Sequence, residues 1–149
     1  MKKVLKSLSI CFIIAAMLTA GAFAASPVGP DQPQASKYIS GTSTVGGALG
    51  NGKVRFTFDI TATKPMKDVG ALQVNIYEVG VTAPVWSHYY TDPGYSYMMG
   101  HNTVSHTFGV TYDKCQSGHQ YYAKVQFYAG ENGVAGGTYT MGSAIVTAV

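Results

Sequence analysis

Three residues in the last third of the chain have the types that nucleophilic chemistry needs. Cys115 and His119 are four positions apart, and Asp113 precedes them. A nucleophilic thiol requires an adjacent base, and an imidazole can serve as one. The two residues flank a short turn, however, and no cysteine-hydrolase motif surrounds them. We expect Cys115 to be a buried apolar thiol, the usual state of an unpaired cysteine, and predict no catalytic residues.

The histidines are the natural candidates for metal ligation. The chain has four, His88, His101, His106 and His119, and no pair has the spacing of a zinc motif. His106 falls on the apolar face of a predicted strand, so we expect a hydrogen-bonded interior or edge histidine. His88 and His101 could both meet Asp92 if the segment between them folds back. The sequence predicts no metal ion and no other cofactor.

The acidic residues and glycines give no stronger signal. Glu78 and Glu131 are the only glutamates, and a glycosidase needs two carboxylates held about 5–10 Å apart. Nothing in the sequence places these two together. Gly46-Gly47 and Gly136-Gly137 lack the strand-to-helix context of a phosphate site, so we predict flexible turns there.

The segment from Trp86 to Tyr97 is rich in aromatic residues. Five of its twelve residues are aromatic, namely Trp86, Tyr89, Tyr90, Tyr95 and Tyr97, and Met98 and Met99 follow. Rigid rings supply contact area at low entropic cost, and their hydroxyl groups supply hydrogen bonds. The alternative is that the rings fill one end of the core or pack across a hairpin. Together with His101, the five aromatic residues form the candidate binding site.

The elements that position these residues are predicted to be strands. From Lys53 to Thr63, apolar and polar side chains alternate without a break, which indicates a strand with one buried face. No window of ten residues carries a helical stripe. Seven short strands predict an all-β fold, an antiparallel β-sandwich of immunoglobulin type or, as the alternative, a small barrel. The predicted strands are 37–45, 53–63, 72–77, 85–90, 103–112, 121–128 and 138–146.

Residues with turn chemistry separate these strands. Asn51-Gly52 and Asn132-Gly133 can adopt the positive φ of tight hairpin turns. Further breaks are predicted at Lys64-Pro65, Asp92-Pro93-Gly94 and Ser117-Gly118.

One segment carries a family resemblance. Cys115 stands where an apolar residue is usual, Gly118 follows as a turn glycine, and Tyr121 comes six positions after the cysteine. The stretch from Cys115 to Val125 resembles the E–F corner and F strand of fibronectin type III and related immunoglobulin-like domains. The resemblance implies that the Tyr121 hydroxyl bonds to upstream backbone as a tyrosine corner, and that Cys115 has a packing role. Ser117 replaces the usual proline, and the resemblance implies no activity.

The N-terminus has the pattern of a secretory signal peptide over residues 1–24. A start with three lysines precedes the apolar run Leu8 to Leu18, and Ala22-Phe23-Ala24 supplies small residues for cleavage. Cleavage leaves 125 residues with seven basic and seven acidic side chains, the size of one domain. No basic patch suits a nucleic acid, and no polybasic run suits an anionic membrane.

After the signal peptide, residues 25–36 have a proline at every third position, which predicts an extended linker before a domain at 37–149. The stretch from Tyr90 to Gly100 resembles segments of small exported proteins of Gram-positive bacteria, and this implies no activity. The sequence predicts a non-catalytic binding module for a glycan or a protein surface, secreted or associated with the cell wall. The alternatives are a self-associating structural component of the cell envelope and a small hydrolase.

Overall fold

A computed structural model describes residues 37–131 and 136–149, which form seven strands. They are β1 (Ile39–Gly50), β2 (Lys53–Glu78), β3 (Trp86–Tyr89), β4 (Met99–Tyr112), β5 (Gln120–Gly130), β6 (Gly137–Gly142) and β7 (Val146–Thr147). The predicted all-β class is confirmed, since the described ranges contain only one helical turn, a 3-10 turn at Ser96–Met98. No helix in these ranges is long and apolar enough to span a bilayer. The predicted signal peptide, linker and Asn132-Gly133 turn lie outside the described residues.

The long strand β2 is the centre of the sheet and pairs along both of its edges. On one edge it pairs with β1 and then, from Asp68 onward, with β5. On the other edge it pairs with β4 as far as Gly70 and then with β3 from Gln73 to Ile76. β5 pairs in turn with β6 and β7. All of these pairs are antiparallel.

The sheet curls into a half-barrel, an arrangement that is compatible with a β-sandwich. Phe58 in the first half of β2 stacks on Phe108 of β4, with ring centroids 5.2 Å apart. It also meets Phe127 of β5 edge-on at 6.4 Å, so side chains from both halves of the sheet share one core. The outer strands β1 and β6 come together where the Thr44 hydroxyl donates to the Gly142 carbonyl at 3.3 Å. Among the described residues, no polar or charged residue is buried.

The two-residue alternation correctly predicts which face of the long strands is buried. On β2 the five predicted apolar positions are all buried, because alternate side chains of a strand point to opposite faces. They are Val54, Phe56, Phe58, Ile60 and Ala62. Val104 is an exception: it belongs to the predicted apolar face of β4 but is 42 % exposed. It lies beside the irregularity where the β2–β4 pairing skips from Thr61 to Met66.

The predicted break at Lys64-Pro65 is wrong, because β2 runs through it. The ladder with β1 ends at Ala62 and the ladder with β5 starts at Asp68. Pro65 therefore lies where neither strand needs the N–H that proline lacks. The predicted strands 53–63 and 72–77 are thus one strand, while the predicted strand 138–146 is divided into β6 and β7.

The glycine pairs and turns have mixed outcomes. Asn51-Gly52 forms the predicted β1–β2 hairpin turn, with φ values of 53° and 66°. Gly46-Gly47, which the sequence predicts as a flexible turn, instead lies inside β1. A Cβ atom at Gly46 would lie 2.5 Å from Val146 Cγ2, so the glycine lets β1 approach β7 closely.

Candidate functional site

The aromatic segment leaves the edge of the sheet and returns to it, and we call residues 90–98 the excursion. Tyr89 pairs with Gln73, and Met99 pairs with Gly70. Nine residues therefore separate Tyr89 from Met99, although their partners on β2 are only three positions apart. Loops of this length whose ends lie close together and whose own side chains pack them are frequently functional.

The end of the excursion that rejoins β4 is anchored in three ways. The Met98 side chain is fully buried. Nε2 of His106 lies 2.8 Å from the Tyr97 carbonyl oxygen and donates to it. Gly70 has no side chain, and a Cβ atom there would overlap the Met98 carbonyl oxygen and lie 2.8 Å from Met99 Cα. The backbone of the excursion is thus seated directly on β2.

Asp92 anchors the other end. Its carboxylate accepts the Tyr89 amide N–H at 2.9 Å and lies 3.1 Å from Nδ1 of His88. The Asp92 carbonyl accepts the Tyr95 N–H at 3.1 Å. The hydrogen bond from the Tyr89 amide, followed by the contact with His88, holds the pKa of Asp92 below its ordinary value. The carboxylate is therefore ionised at neutral pH and fixes the start of the loop.

Two rings of β3 pack against two rings of the excursion, and we call Trp86, His88, Tyr95 and Tyr97 the ring cluster. His88 stacks on Tyr95 with centroids 3.9 Å apart and an interplanar angle of 15°. Trp86 meets both of these rings edge-on, at 4.7 and 5.5 Å. Tyr97 is tilted against Tyr95 at 6.1 Å. Edge-on and offset contacts of this kind add stability beyond the buried area.

The structure divides the six predicted binding residues into three groups. Three are half-buried and pack against the core, namely Trp86, Tyr90 and Tyr95. Tyr97 at the end of the excursion is 44 % exposed, and Tyr89 just before it is 51 % exposed. His101 is engaged elsewhere, since its Nδ1 lies 2.7 Å from Asp68 Oδ1 on β2. Two of the six residues, Tyr89 and Tyr97, therefore have aromatic rings exposed to solvent.

The phenol of Tyr97 stays protonated at neutral pH. Partial burial raises its pKa above the ordinary value, the neighbouring Tyr95 adds to the rise, and the charge of Arg55 opposes it. A neutral phenol can both donate and accept a hydrogen bond. The Tyr97 side chain is thus amphipathic, with an apolar ring and a hydroxyl group that can form hydrogen bonds.

A polar cluster next to Tyr89 was not identified from the sequence. Gln73, the register partner of Tyr89, donates through Nε2 to Asn75 Oδ1 at 3.2 Å. The Ser87 hydroxyl donates to the same Asn75 oxygen at 2.6 Å. The alternation assigns these residues to the solvent face, but it does not show that β3 lies beside β2 and joins them. This amide and hydroxyl cluster flanks one exposed tyrosine.

The four histidines each have a different hydrogen-bond partner. His119 Nδ1 lies 2.6 Å from Glu78 Oε1. The prediction that His88 reaches Asp92 is confirmed, and the same prediction for His101 is wrong because His101 pairs with Asp68. Within residues 37–131 and 136–149, no three side chains of His, Cys, Asp or Glu come together to hold a metal ion. His106 is the hydrogen-bonded edge histidine that the sequence predicts.

Cys115 does not form an activated pair with His119. The Cys115 thiol donates to the Tyr112 carbonyl at 3.7 Å, while the His119 ring is held by Glu78. Burial raises the pKa of the Cys115 thiol, the opposite of what a nucleophilic cysteine requires. The thiol is half-buried and packs against the core, so it is less enclosed than the sequence predicts.

The corner around Tyr121 has the contact that the family resemblance implies. Tyr121 is 1 % exposed, and its hydroxyl oxygen accepts the Gln116 backbone N–H at 2.9 Å. Gly118, between these residues, has a φ of 82°. The hydrogen bond ties the loop before β5 to a core residue.

The two glutamates lie at opposite ends of β5. Glu78 pairs with Tyr121 near the start of β5, whereas Glu131 follows its last residue, Gly130. Nine residues of extended strand separate those ends by roughly 30 Å. Glu131 forms an exposed ion pair with Lys64 at 2.7 Å. The separation of roughly 30 Å between the two glutamates is well beyond the spacing of a glycosidase pair.

A scan against protein-family models finds no match, and a search of curated proteins finds none either. The candidate function therefore depends on the geometry of the excursion, the ring cluster and the polar cluster beside Tyr89.

Proposed function

We propose that the chain is a secreted, non-catalytic module that binds a glycan surface through Tyr89 and Tyr97. The observation that carries this proposal is the different placement of the rings in and beside the anchored excursion: Trp86, Tyr90 and Tyr95 pack against the core, whereas Tyr97 in the excursion and Tyr89 just before it are about half exposed. Loops on a firm scaffold commonly carry binding residues, and tyrosine is well suited to contact surfaces. The signal-peptide pattern of residues 1–24 supports export.

The surroundings of Tyr89 favour a glycan over a purely apolar ligand. An exposed ring can lie against the C–H face of a sugar, while nearby amides and hydroxyls can exchange hydrogen bonds with sugar hydroxyl groups. Gln73, Asn75 and Ser87 supply such groups beside Tyr89. Ligand sites typically combine aromatic area with a few placed polar groups. Tyr97 adds a second ring with a neutral phenol.

The proposed architecture is an immunoglobulin-like β-sandwich. The hydrogen bond between Tyr121 and the upstream backbone supports it, as does the contact between Phe58 and Phe127 across the core. In such a fold the loops at the ends and edges of the sheets are free to vary and to bind. The excursion has that position at the edge of β2.

The test is a pull-down of the purified protein with insoluble bacterial cell-wall glycan and with mucin. The double variant Tyr89→Ala/Tyr97→Ala should lose at least about tenfold in binding, because each large ring at a contact centre commonly contributes more than 1 kcal/mol. Its melting temperature should fall by only a few degrees, since both rings are about half exposed and Tyr97 loses one ring contact, with Tyr95. Val104→Ser, which changes a residue of similar exposure on β4, is the matched control and should bind normally.

Two results would contradict the proposal. Unchanged binding of the double variant would show that these rings are not the contact residues. Binding to mucin that survives enzymatic removal of its glycans would assign the site to a protein partner instead.

A further inference from the structure

β4 forms an edge of the sheet, since β2 is the only described strand that pairs with it. One end of this edge is closed by the chain itself. The Thr103 hydroxyl accepts the Ser105 N–H at 3.2 Å and donates to the Ser105 carbonyl at 2.8 Å. The backbone groups of Ser105 therefore point away from β2.

The direction of the following backbone groups follows from strand geometry. Alternate residues of an antiparallel strand point their N–H and C=O groups to the same side. The groups of Thr107, Gly109 and Thr111 therefore also point away from β2. The opposite strand agrees, because Thr61 is the register partner of Ser105 and Thr63, two positions further along β2, donates its N–H to the Tyr38 carbonyl on the β1 side at 3.0 Å.

The stretch from Thr107 to Thr111 is an open edge in the part of the chain that the structure describes, although two charged side chains of β2, Arg55 and Asp59, lie against it. Its outward backbone groups take part in none of the backbone hydrogen bonds found outside the ladders. Natural edge strands are usually blunted by charged side chains or proline. No Lys, Arg, Asp, Glu or Pro occurs from Asn102 to Tyr112. Such an edge is a template for another strand.

We propose that a second copy of this chain pairs antiparallel along this edge of β4, with Gly109 opposite Gly109 of the second copy. In this two-fold register, Thr107 faces Thr111 of the second copy. The three facing pairs exchange about six hydrogen bonds, and the contact is the same patch on both copies. The Thr107 hydroxyl donates to Asp59 Oδ1 at 2.5 Å, so it can still accept the hydroxyl proton of the facing Thr111 of the second copy. The result is one sheet that continues through both copies.

Arg55 makes this association sensitive to salt. Its guanidinium group lies over Gly109, where a Cβ atom would be 2.8 Å from Nη2. The two-fold register brings two guanidinium groups near one another, and salt screens their repulsion. Because the contact is narrow, it belongs to the weak class of interfaces, with a Kd of about 10–1000 µM.

Sedimentation velocity of the purified protein over a range of concentrations tests the proposal. We expect a dimer fraction that grows with concentration and with added salt. Arg55→Gln should tighten the dimer by about threefold and remove most of the salt effect, because it removes like charges a few ångströms apart in water.

Thr111→Pro is the sharpest variant. It removes an edge N–H that takes no part in the β2–β4 ladder, so the domain should keep its fold while the dimer disappears. Thr111→Lys, which places a charge on the edge without changing the backbone, should have the same effect.

Three outcomes would overturn the proposal. The first is a protein that stays fully monomeric up to about 1 mM, the upper end of the expected Kd range. The second is a Thr111→Lys variant that dimerises as the parent does. The third is slow amide exchange at Gly109 that does not depend on concentration, which would show that the edge is covered within one chain.

Discussion

Replacing Gly70 by alanine should displace the excursion, and the structure allows the cost to be worked out. The new Cβ would overlap the Met98 carbonyl oxygen and lie 2.8 Å from Met99 Cα. Both obstacles are backbone atoms, so neither can rotate away. Overpacking of this kind costs about 1–3 kcal/mol. The melting temperature should fall by about 4–12 °C in a domain of this size.

Gly47→Ala is the matched control, because Gly47 also lies in a strand but has no atom within 4 Å of a Cβ atom. Reducing the freedom of the unfolded chain should stabilise this control by about 0.4–1 kcal/mol. The two variants should therefore differ by about 1.4–4 kcal/mol in the free energy of unfolding, measured by urea titration.

A second measurement locates the damage. Trp86 is the only tryptophan of the chain and belongs to the ring cluster. If Gly70→Ala lifts the excursion, Trp86 becomes more hydrated and its fluorescence shifts to longer wavelength without denaturant. Equal stability of Gly70→Ala and Gly47→Ala, with unchanged emission, would refute the close seating of the excursion on β2.

Three further predictions concern single side chains. Tyr121→Phe removes the acceptor of the Gln116 N–H and should cost about 1 kcal/mol in urea titration, and no loss would contradict the corner contact. Burial raises the pKa of the Cys115 thiol in the folded protein, so folding favours the protonated thiol. This contribution to stability is fully present below the pKa of the unfolded chain and is lost as the pH rises through the pKa of the folded protein. Alkylation in the folded state at pH 8 should accordingly be slower than in urea, and equal rates would contradict burial of the thiol. The pKa of Asp92 is lowered in the folded protein, so its carboxylate contributes to stability above the pKa of the unfolded chain. That contribution is lost as the pH falls through the pKa of the folded protein, and the chemical shift of the Tyr89 amide should follow the same titration.

The alternation of the sequence was sufficient to predict the class of the fold and most of the buried faces, because side-chain direction in a strand is a local property. Partner strands are not a local property. Nothing around Lys64-Pro65 indicates that the ladders along both edges of β2 are interrupted there, and for that reason a turn is the natural prediction from the dipeptide alone. The same limit applies to His101, whose partner Asp68 is 33 positions away.

The candidate site was predictable as a segment but not as a surface. The composition from Trp86 to Tyr97 identified the right stretch, yet the period of two could not assign each ring to the core or to solvent. That assignment depends on β3 pairing with β2 and on the chain leaving the edge after Tyr89. The polar cluster of Gln73, Asn75 and Ser87 depends on the same pairing, and its members are 14 positions apart along the chain at most.

The energetics of the excursion favour a contact role over a packing role. Ordering the backbone of nine residues costs about 1–2 kcal/mol for each residue. A packing element would offset that cost by turning its large rings inward, as Met98 and Tyr95 do. Tyr97 lies between those two residues in the sequence and its carbonyl accepts the His106 ring N–H, yet its side chain is 44 % exposed. In the proposed function, this fixed position of the Tyr97 ring lowers the entropic cost of binding a glycan, because a pre-organised side chain has little freedom left to lose.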